Sequence, residues 1–230
     1  MKALVNFEIA QELACATDLD VIPLNPYNKL DKPVSAHADM LFCILDNTVF
    51  CYKDYVEAEG LYDIIKNEGY NIVFVSNECE KKYPNDVSLN VLVMGKTIFC
   101  NVKYTAHEII DYANENGYTV VNVNQGYSAC STLAIDENNA ITGDRGMELA
   151  ITKAGKNALL IETDDIILSG YDSGFIGGAS AVLGDKILFF GQPKALLDGG
   201  KIVDYLLELD HSYFFISLDR VYDFGGIKLI

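Results

Sequence analysis

The sequence predicts a five-bladed α/β propeller, a single domain spanning residues 1–230. Three observations carry this expectation. A strand–turn–strand–helix–strand pattern recurs four times, at a period of roughly 45 residues, in the range where repeats build propellers or arrays. The turn signals of the four copies align at Asp46-Asn47, Gly95-Lys96, Asn138-Asn139 and Asp185-Lys186, and the helix stops partly align at Gly69, Gly117 and Gly155. The two ends supply a fifth copy, with Gly225–Ile230 as its first strand and Lys2–Val5 as its second. A ring joined by both termini leaves no unpaired sheet edge, which is a stable solution for small repeated sheets.

In chain order, Lys2–Val5 reads as a strand and Phe7–Ala16 as a helix, with its apolar stripe at Ile9, Leu13, Ala14 and Ala16. Val21–Leu24 is a strand, and the proline-bearing 25–34 stretch is a connector. Asp39–Leu45 is a buried strand, Thr48–Tyr52 its return, Val56–Asn67 a helix stopped by Gly69, and Asn71–Val75 a strand. After a polar loop (76–88) the pattern repeats with Leu89–Val93, Thr97–Cys100, the helix Thr105–Asn114 with Thr105 as N-cap, and Thr119–Val123. The third copy is the clearest: Ser131–Ile135, Ala140–Thr142, the helix Gly146–Ala154 capped by Asp144, and Ala158–Ile161. The fourth has Phe175–Leu183, a Gly184-Asp185 turn, Lys186–Phe190, the helix Lys201–Leu209 and Tyr213–Ile216.

Composition narrows the function. Half the residues are hydrophobic, enough for a sizeable core, and the net charge is −16. That charge argues against nucleic acid, which needs a basic surface, and against anionic membranes. It suits a cationic small-molecule substrate. The six cysteines form no CxxC pair and no close Cys/His cluster, which argues against a structural zinc site; no metal or organic cofactor is implied. They read as a reduced, cytoplasmic thiol inventory. Polar residues at Asn6, Glu8, Gln11 and Glu12 break any signal-peptide core, and Asp172 and several glycines break the apolar run 166–184 as a membrane helix. Gly174–Ser180 (GFIGGAS) lacks the Lys-Ser/Thr ending of a phosphate loop and reads as a channel-lining strand whose glycines allow close backbone approach. His107 and His211 fall in helix and helix-end patterns and read as structural or exposed.

The candidate chemistry lies at the starts of first strands. His37-Ala38-Asp39 opens one blade, and Cys130 opens the blade two further on. Asp223-Phe224-Gly225-Gly226 leads into the blade before His37, and Asp172-Ser173-Gly174 precedes the one before that. This arrangement resembles the pentein superfamily, specifically its guanidine-modifying enzymes: arginine deiminases, dimethylarginine hydrolases and amidinotransferases. It is also similar to a family of small bacterial proteins, and more distantly to ribosome anti-association factors, which the negative charge disfavours. The order of the motifs matches the enzymes if this chain is circularly permuted, with its termini inside the Gly-Gly blade. One departure stands out: where the enzymes have Glu-Gly-Gly-Asp, this chain has Phe224-Gly225-Gly226-Ile227.

The resemblance implies a covalent mechanism. Cys130 would attack the central carbon of a guanidinium or amidine, and His37 would serve as acid and then base. Asp39 would orient His37, while Asp172 and Asp223 would pair with the guanidinium nitrogens. Tyr127 would line the channel mouth, and Arg145 would meet a substrate carboxylate. Against this stand the plainer readings. A lone Cys at a strand start packs as a small apolar residue, His37 can be satisfied by backbone, Tyr127 can be a packed aromatic, and Arg145 can be solvated. The expected function is a cysteine-dependent hydrolase or transferase on a small guanidine- or amidine-type substrate. The alternative is a non-catalytic protein of the same fold that binds a cationic ligand or a protein partner. The sequence leaves the oligomeric state open.

Overall fold

The computed structural model describes residues 1–230. Its fifteen strands form five three-stranded sheets. In chain order these are β15-β1-β2 (Ile227–Leu229, Lys2–Asn6, Asp20–Leu24), β3-β4-β5 (Phe42–Leu45, Thr48–Cys51, Asn71–Phe74), β6-β7-β8 (Leu92–Met94, Thr97–Cys100, Thr119–Asn122), β9-β10-β11 (Thr132–Ala134, Asn139–Thr142, Asn157–Leu160) and β12-β13-β14 (Ser180–Leu183, Lys186–Phe190, Ser212–Ile216). Every sheet has one plan. Its first strand pairs antiparallel with the second, across a tight turn in four sheets and between the two chain ends in the fifth, and the second pairs parallel with the third across a helix. A parallel pair needs a crossover connection, and the helix supplies it. Register repeats too: Asn71, Thr119 and Asn157, which start the third strands, each donate their N–H to a turn carbonyl at 2.8 Å, those of Asn47, Lys96 and Asn138.

The chain ends meet in one sheet, where Ala3 pairs with Leu229 and Val5 with Ile227. First strands from all five sheets line one central cavity of about 290 Å³, contributing Ile44, Val93, Ala134, Val182 and Leu229 among others. The second strands are the most buried, for example Val49, Phe50 and Cys51, because each is the central strand of its sheet, flanked by the first and the third. Burying a side chain such as Phe50 contributes about 1.5–3 kcal/mol, and the equivalent positions in the other blades, Leu4, Phe99, Ile141 and Leu188, are as fully buried.

Several boundaries differ from the sequence expectation, each for a local reason. The apolar run from Asp39 does not begin as strand: Ala38–Leu41 forms a helical turn (α2), and the strand starts at Phe42. The first helix, α1, begins at Ala10. The expected Val56–Asn67 helix is two helices, α3 (Lys53–Ala58) and α4 (Leu61–Asn67), separated by Gly60 at φ +66°. Thr105 does not cap helix α5 (His107–Glu115); its hydroxyl bonds back to the Asn101 carbonyl at 3.0 Å. Asp144 does cap helix α6 (Arg145–Lys153), accepting from the Met147 N–H at 2.8 Å. The last helix, α7, spans Gly199–Glu208. Gly174–Ala179 is not strand. The strand begins at Ser180, because the chain before it turns with Gly177 pressed against neighbouring backbone and Gly174 and Gly178 against the Asp223 side chain. A Cβ on Gly177 would overlap the carbonyls of Ala129 and Cys130.

Candidate functional site

The starts of the first strands bring residues distant in sequence into one buried cluster. His37 precedes the α2 turn that carries Asp39, and the Asp39 N–H donates to the Gly225 carbonyl at 3.1 Å. Cys130 sits on the turn 128–131 that leads into β9, and its carbonyl accepts from the Gly178 N–H at 3.2 Å. Asp223 lies just before Gly225 and Gly226, which take φ +79° and +64°. Its Oδ2 accepts from the Phe175 N–H at 2.8 Å and its Oδ1 from the Gly225 N–H at 3.0 Å. The two glycines are needed here: positive φ suits glycine, and a Cβ on Gly225 would overlap His37.

All four side chains are buried, at 1–4% exposure. His37 Nδ1 lies 3.7 Å from Asp223 Oδ1 and has no hydrogen-bond partner. Both carboxylate oxygens of Asp39 also lack a partner. The Cys130 thiol is near enough to act on the Asp39 carboxylate without satisfying it. The pairing expected from sequence, Asp39 orienting His37, is therefore not the one present: the acid beside His37 is Asp223, and Asp39 faces Cys130. The physical reason is the α2 turn, which replaces strand alternation and sends residues 37 and 39 to different neighbours.

Sequence reasoning missed Asn90. It is 1% exposed and grips the nucleophile candidate at three points. Its Oδ1 accepts from the N–H groups of Ala129 at 2.8 Å and Cys130 at 3.2 Å, and its Nδ2 lies 2.9 Å from Cys130 Sγ. Nδ2 also reaches the Asp39 carbonyl at 3.1 Å. The signal in the sequence was slight: one polar side chain in the otherwise apolar stretch 89–94 that runs into β6.

Burial dominates the electrostatics. It pushes the Asp39 carboxyl up to about 6, with Cys130 and the Lys228 charge acting against the rise. It pushes Asp223 up to about 7, helped by the charge of Asp39. It holds the Cys130 thiol well above its usual value, reinforced by Asp39 and Asp223, while the Asn90 hydrogen bond pulls the other way. It lowers His37 to about 3. Each shift favours the neutral form, as expected for ionisable groups whose burial outweighs their charged neighbours.

The remaining sequence candidates lie elsewhere. Asp172 is exposed and outside the cluster. Arg145 is exposed at the start of α6 and pairs with Glu148 at 3.3 Å. Tyr127 is half-buried near the cluster, its hydroxyl donating to Asp86 Oδ2 at 2.7 Å. Two cavities flank the cluster: the central channel, lined by Asp39, and a cavity of about 320 Å³ lined by His37, Asp223, Asn6 and Glu8. No group of three or more His, Cys, Asp or Glu side chains is disposed to hold a metal ion. No helix is long and apolar enough to cross a membrane.

Five strand–strand–helix–strand sheets around a shared channel define a pentein fold, and comparison with solved structures agrees. An inosamine-phosphate amidinotransferase from Streptomyces griseus matches with a TM-score of 0.59 at 14% identity, over 95% of this chain and 75% of that one. An amidinotransferase of the saxitoxin biosynthetic pathway from Microseira wollei matches with a TM-score of 0.59 at 11% identity, over 91% and 75%. A dimethylarginine dimethylaminohydrolase, as an adduct with 4-chloro-2-hydroxymethylpyridine, matches with a TM-score of 0.55 at 10% identity, over 94% and 92%. No curated protein matches the sequence. The chain belongs to the family of unknown function DUF6873, whose model matches residues 4–228.

Proposed function

We propose that the protein is a cysteine-dependent hydrolase or transferase acting on a small guanidine- or amidine-type substrate. One observation carries the reading: Asp39, beside Cys130, keeps both of its buried oxygens without hydrogen-bond partners, and His37, 3.7 Å from Asp223 Oδ1, keeps its buried Nδ1 without one. Unpaired buried acceptors are costly, and a planar cation with several N–H donors is what they lack. The names of the structural neighbours, amidinotransferases and a dimethylarginine hydrolase, point to the same chemistry.

In this reading the substrate supplies the missing charge. A guanidinium against Asp39 lowers the carboxyl's proton affinity and that of the nearby thiol. Asp39 is thus the principal clamp, in place of the exposed Asp172. His37 accepts the thiol proton, Asp223 stabilises the resulting imidazolium, and Cys130 forms a C–S bond to the guanidinium carbon. His37 returns the proton to the departing amine as the C–N bond breaks. Water, or an acceptor amine in a transferase, then attacks the same carbon, loses a proton to His37 and releases the cysteine as a thiol.

The raised thiol and lowered imidazole favour a second reading, a binder of cationic ligands without turnover. A release assay separates the two. The wild type, offered a panel of guanidino and amidino compounds, is expected to release ammonia or an amine, and Cys130→Ala to be at least about a thousandfold slower. Stabilisation by the same compounds with no release in either protein would support the binder.

A further inference from the structure

The two cavities beside the cluster share no lining residue, and the wall between them is thin. His37 lines the smaller one and Asp39, two residues on, lines the channel. Phe224 and Gly225, adjacent in sequence, divide in the same way. The bond from the Asp39 N–H to the Gly225 carbonyl, at 3.1 Å, joins the two segments of that wall. The site thus has two sides, with the clamp of the guanidine reading on one and its acid–base group on the other.

The His37 side carries polar groups of its own. His37 and Asp223 are buried there, and His37 Nδ1 has no hydrogen-bond partner. Asn6, buried at the end of β1, and Glu8, exposed in the turn between β1 and α1 (Ala10–Ala16), line the same cavity. That turn is fixed at two points: Asn6 Oδ1 accepts from the Glu8 N–H at 3.0 Å, and the Asn6 carbonyl accepts from the Ile9 N–H at 3.2 Å. Two carboxylates line this cavity of about 320 Å³ and no lysine or arginine does. Such a wall attracts small amines in their ammonium form and repels anions.

We propose that the His37 cavity is the passage for the amine, separate from the channel that holds the guanidinium, and that Glu8 is a specificity-determining residue that turns away amines bearing a carboxylate. The proposal rests on the guanidine reading above and deepens it. The leaving amine takes its proton from His37 as the C–N bond breaks and departs on that side. An acceptor amine enters the same way, forms a C–N bond to the carbon held on Cys130 and gives a proton to His37. The C–S bond then breaks, and that proton passes to the cysteine sulfur. An amine with an anionic tail meets Glu8 and Asp223 with no cation to offset them, so the cavity discriminates by repulsion.

Partitioning between two acceptors of similar size tests this on the intact protein. The donor is the fastest-reacting compound of the guanidino and amidino panel, with S-methylisothiourea in parallel as a small preactivated donor. Ethanolamine or β-alanine is added as acceptor, and mass spectrometry follows the amidino-transfer and hydrolysis products. Corrected for the amount of free amine, the wild type is expected to favour ethanolamine over β-alanine by about tenfold or more. In Glu8→Gln, at an exposed position, the preference is expected to fall to about threefold or less. Equal use of the two acceptors by the wild type, a preference unchanged in Glu8→Gln, or hydrolysis with transfer to neither amine would overturn the passage and leave the guanidine reading standing. Reaction with none of the donors would overturn both. The wild-type comparison decides the matter even if the variant does not fold.

Discussion

Replacing Asp39 with Asn is expected to make the protein more stable at pH 8, by about 2–3 kcal/mol, and to leave it nearly unchanged at pH 4. The sign follows from where the proton sits. The folded carboxyl titrates at about 6, above its unfolded value of 3.8. Below the unfolded value both states hold the proton and the site costs nothing. As pH rises towards 6 the unfolded chain releases the proton first, so folding stability declines, and above 6 the full cost of a buried, unpaired carboxylate is present. Asn carries no charge and escapes that decline. His37 acts in the opposite sense: its folded value of about 3 makes stability fall as pH drops below 6.5. It acts equally in both proteins, so the difference between them reports the Asp39 carboxyl together with its repulsion of Asp223. Urea melts at pH 4 and pH 8 measure it. The same substitution should abolish stabilisation by guanidino compounds, the pattern of a residue kept for function at the expense of stability. A variant less stable at pH 8 than the wild type would make Asp39 a structural acid.

Asn90→Asp carries the second large effect. The substitution keeps the shape and the acceptor that holds the Ala129 and Cys130 N–H groups, so the turn should survive. It removes the donor 2.9 Å from Sγ and places a third carboxyl there. Thiolate formation beside a like charge becomes harder, and the midpoint of the alkylation-rate profile of Cys130 should rise by about 1–2 pH units, with a rate loss of about 10–100-fold at pH 8. A structural role alone would not move that midpoint. An unchanged midpoint in a folded variant would remove Asn90 from the chemistry and leave it as a turn brace.

Much of the fold was legible because each blade repeats its own punctuation. Turns such as Asp46-Asn47 and Asn138-Asn139, and stops such as Gly69 and Gly155, fall where the strands and helices end. The termini completed the fifth sheet for the same reason: GGIKLI and KALV are half-patterns that match. The α2 turn was illegible because Met40–Leu45 is an unbroken apolar run, and a fully buried strand and a buried helical turn look alike in such a run. The site was legible in membership and not in pairing. His37, Asp39, Cys130 and Asp223 stand out as polar or reactive residues at blade starts, but which acid meets which partner depends on a few degrees of turn geometry. Asn90 carries no motif. Its role exists only once β6 and β9 lie side by side and its amide reaches Sγ.

The central claim is that Cys130 occupies a cation-selective site, and paired alkylation tests it most directly. The intact protein is treated in parallel with chloroacetamidine and with neutral chloroacetamide, and labelling of each of the six cysteines is followed by mass spectrometry. The exposed Cys15 supplies the intrinsic reactivity ratio of the two reagents. Cys130 is expected to prefer the amidine over the amide by about 100-fold beyond that ratio, the equivalent of two charge-assisted contacts to buried carboxylates. Equal preference at Cys130 and Cys15, or no labelling of Cys130 by the amidine, would contradict the account.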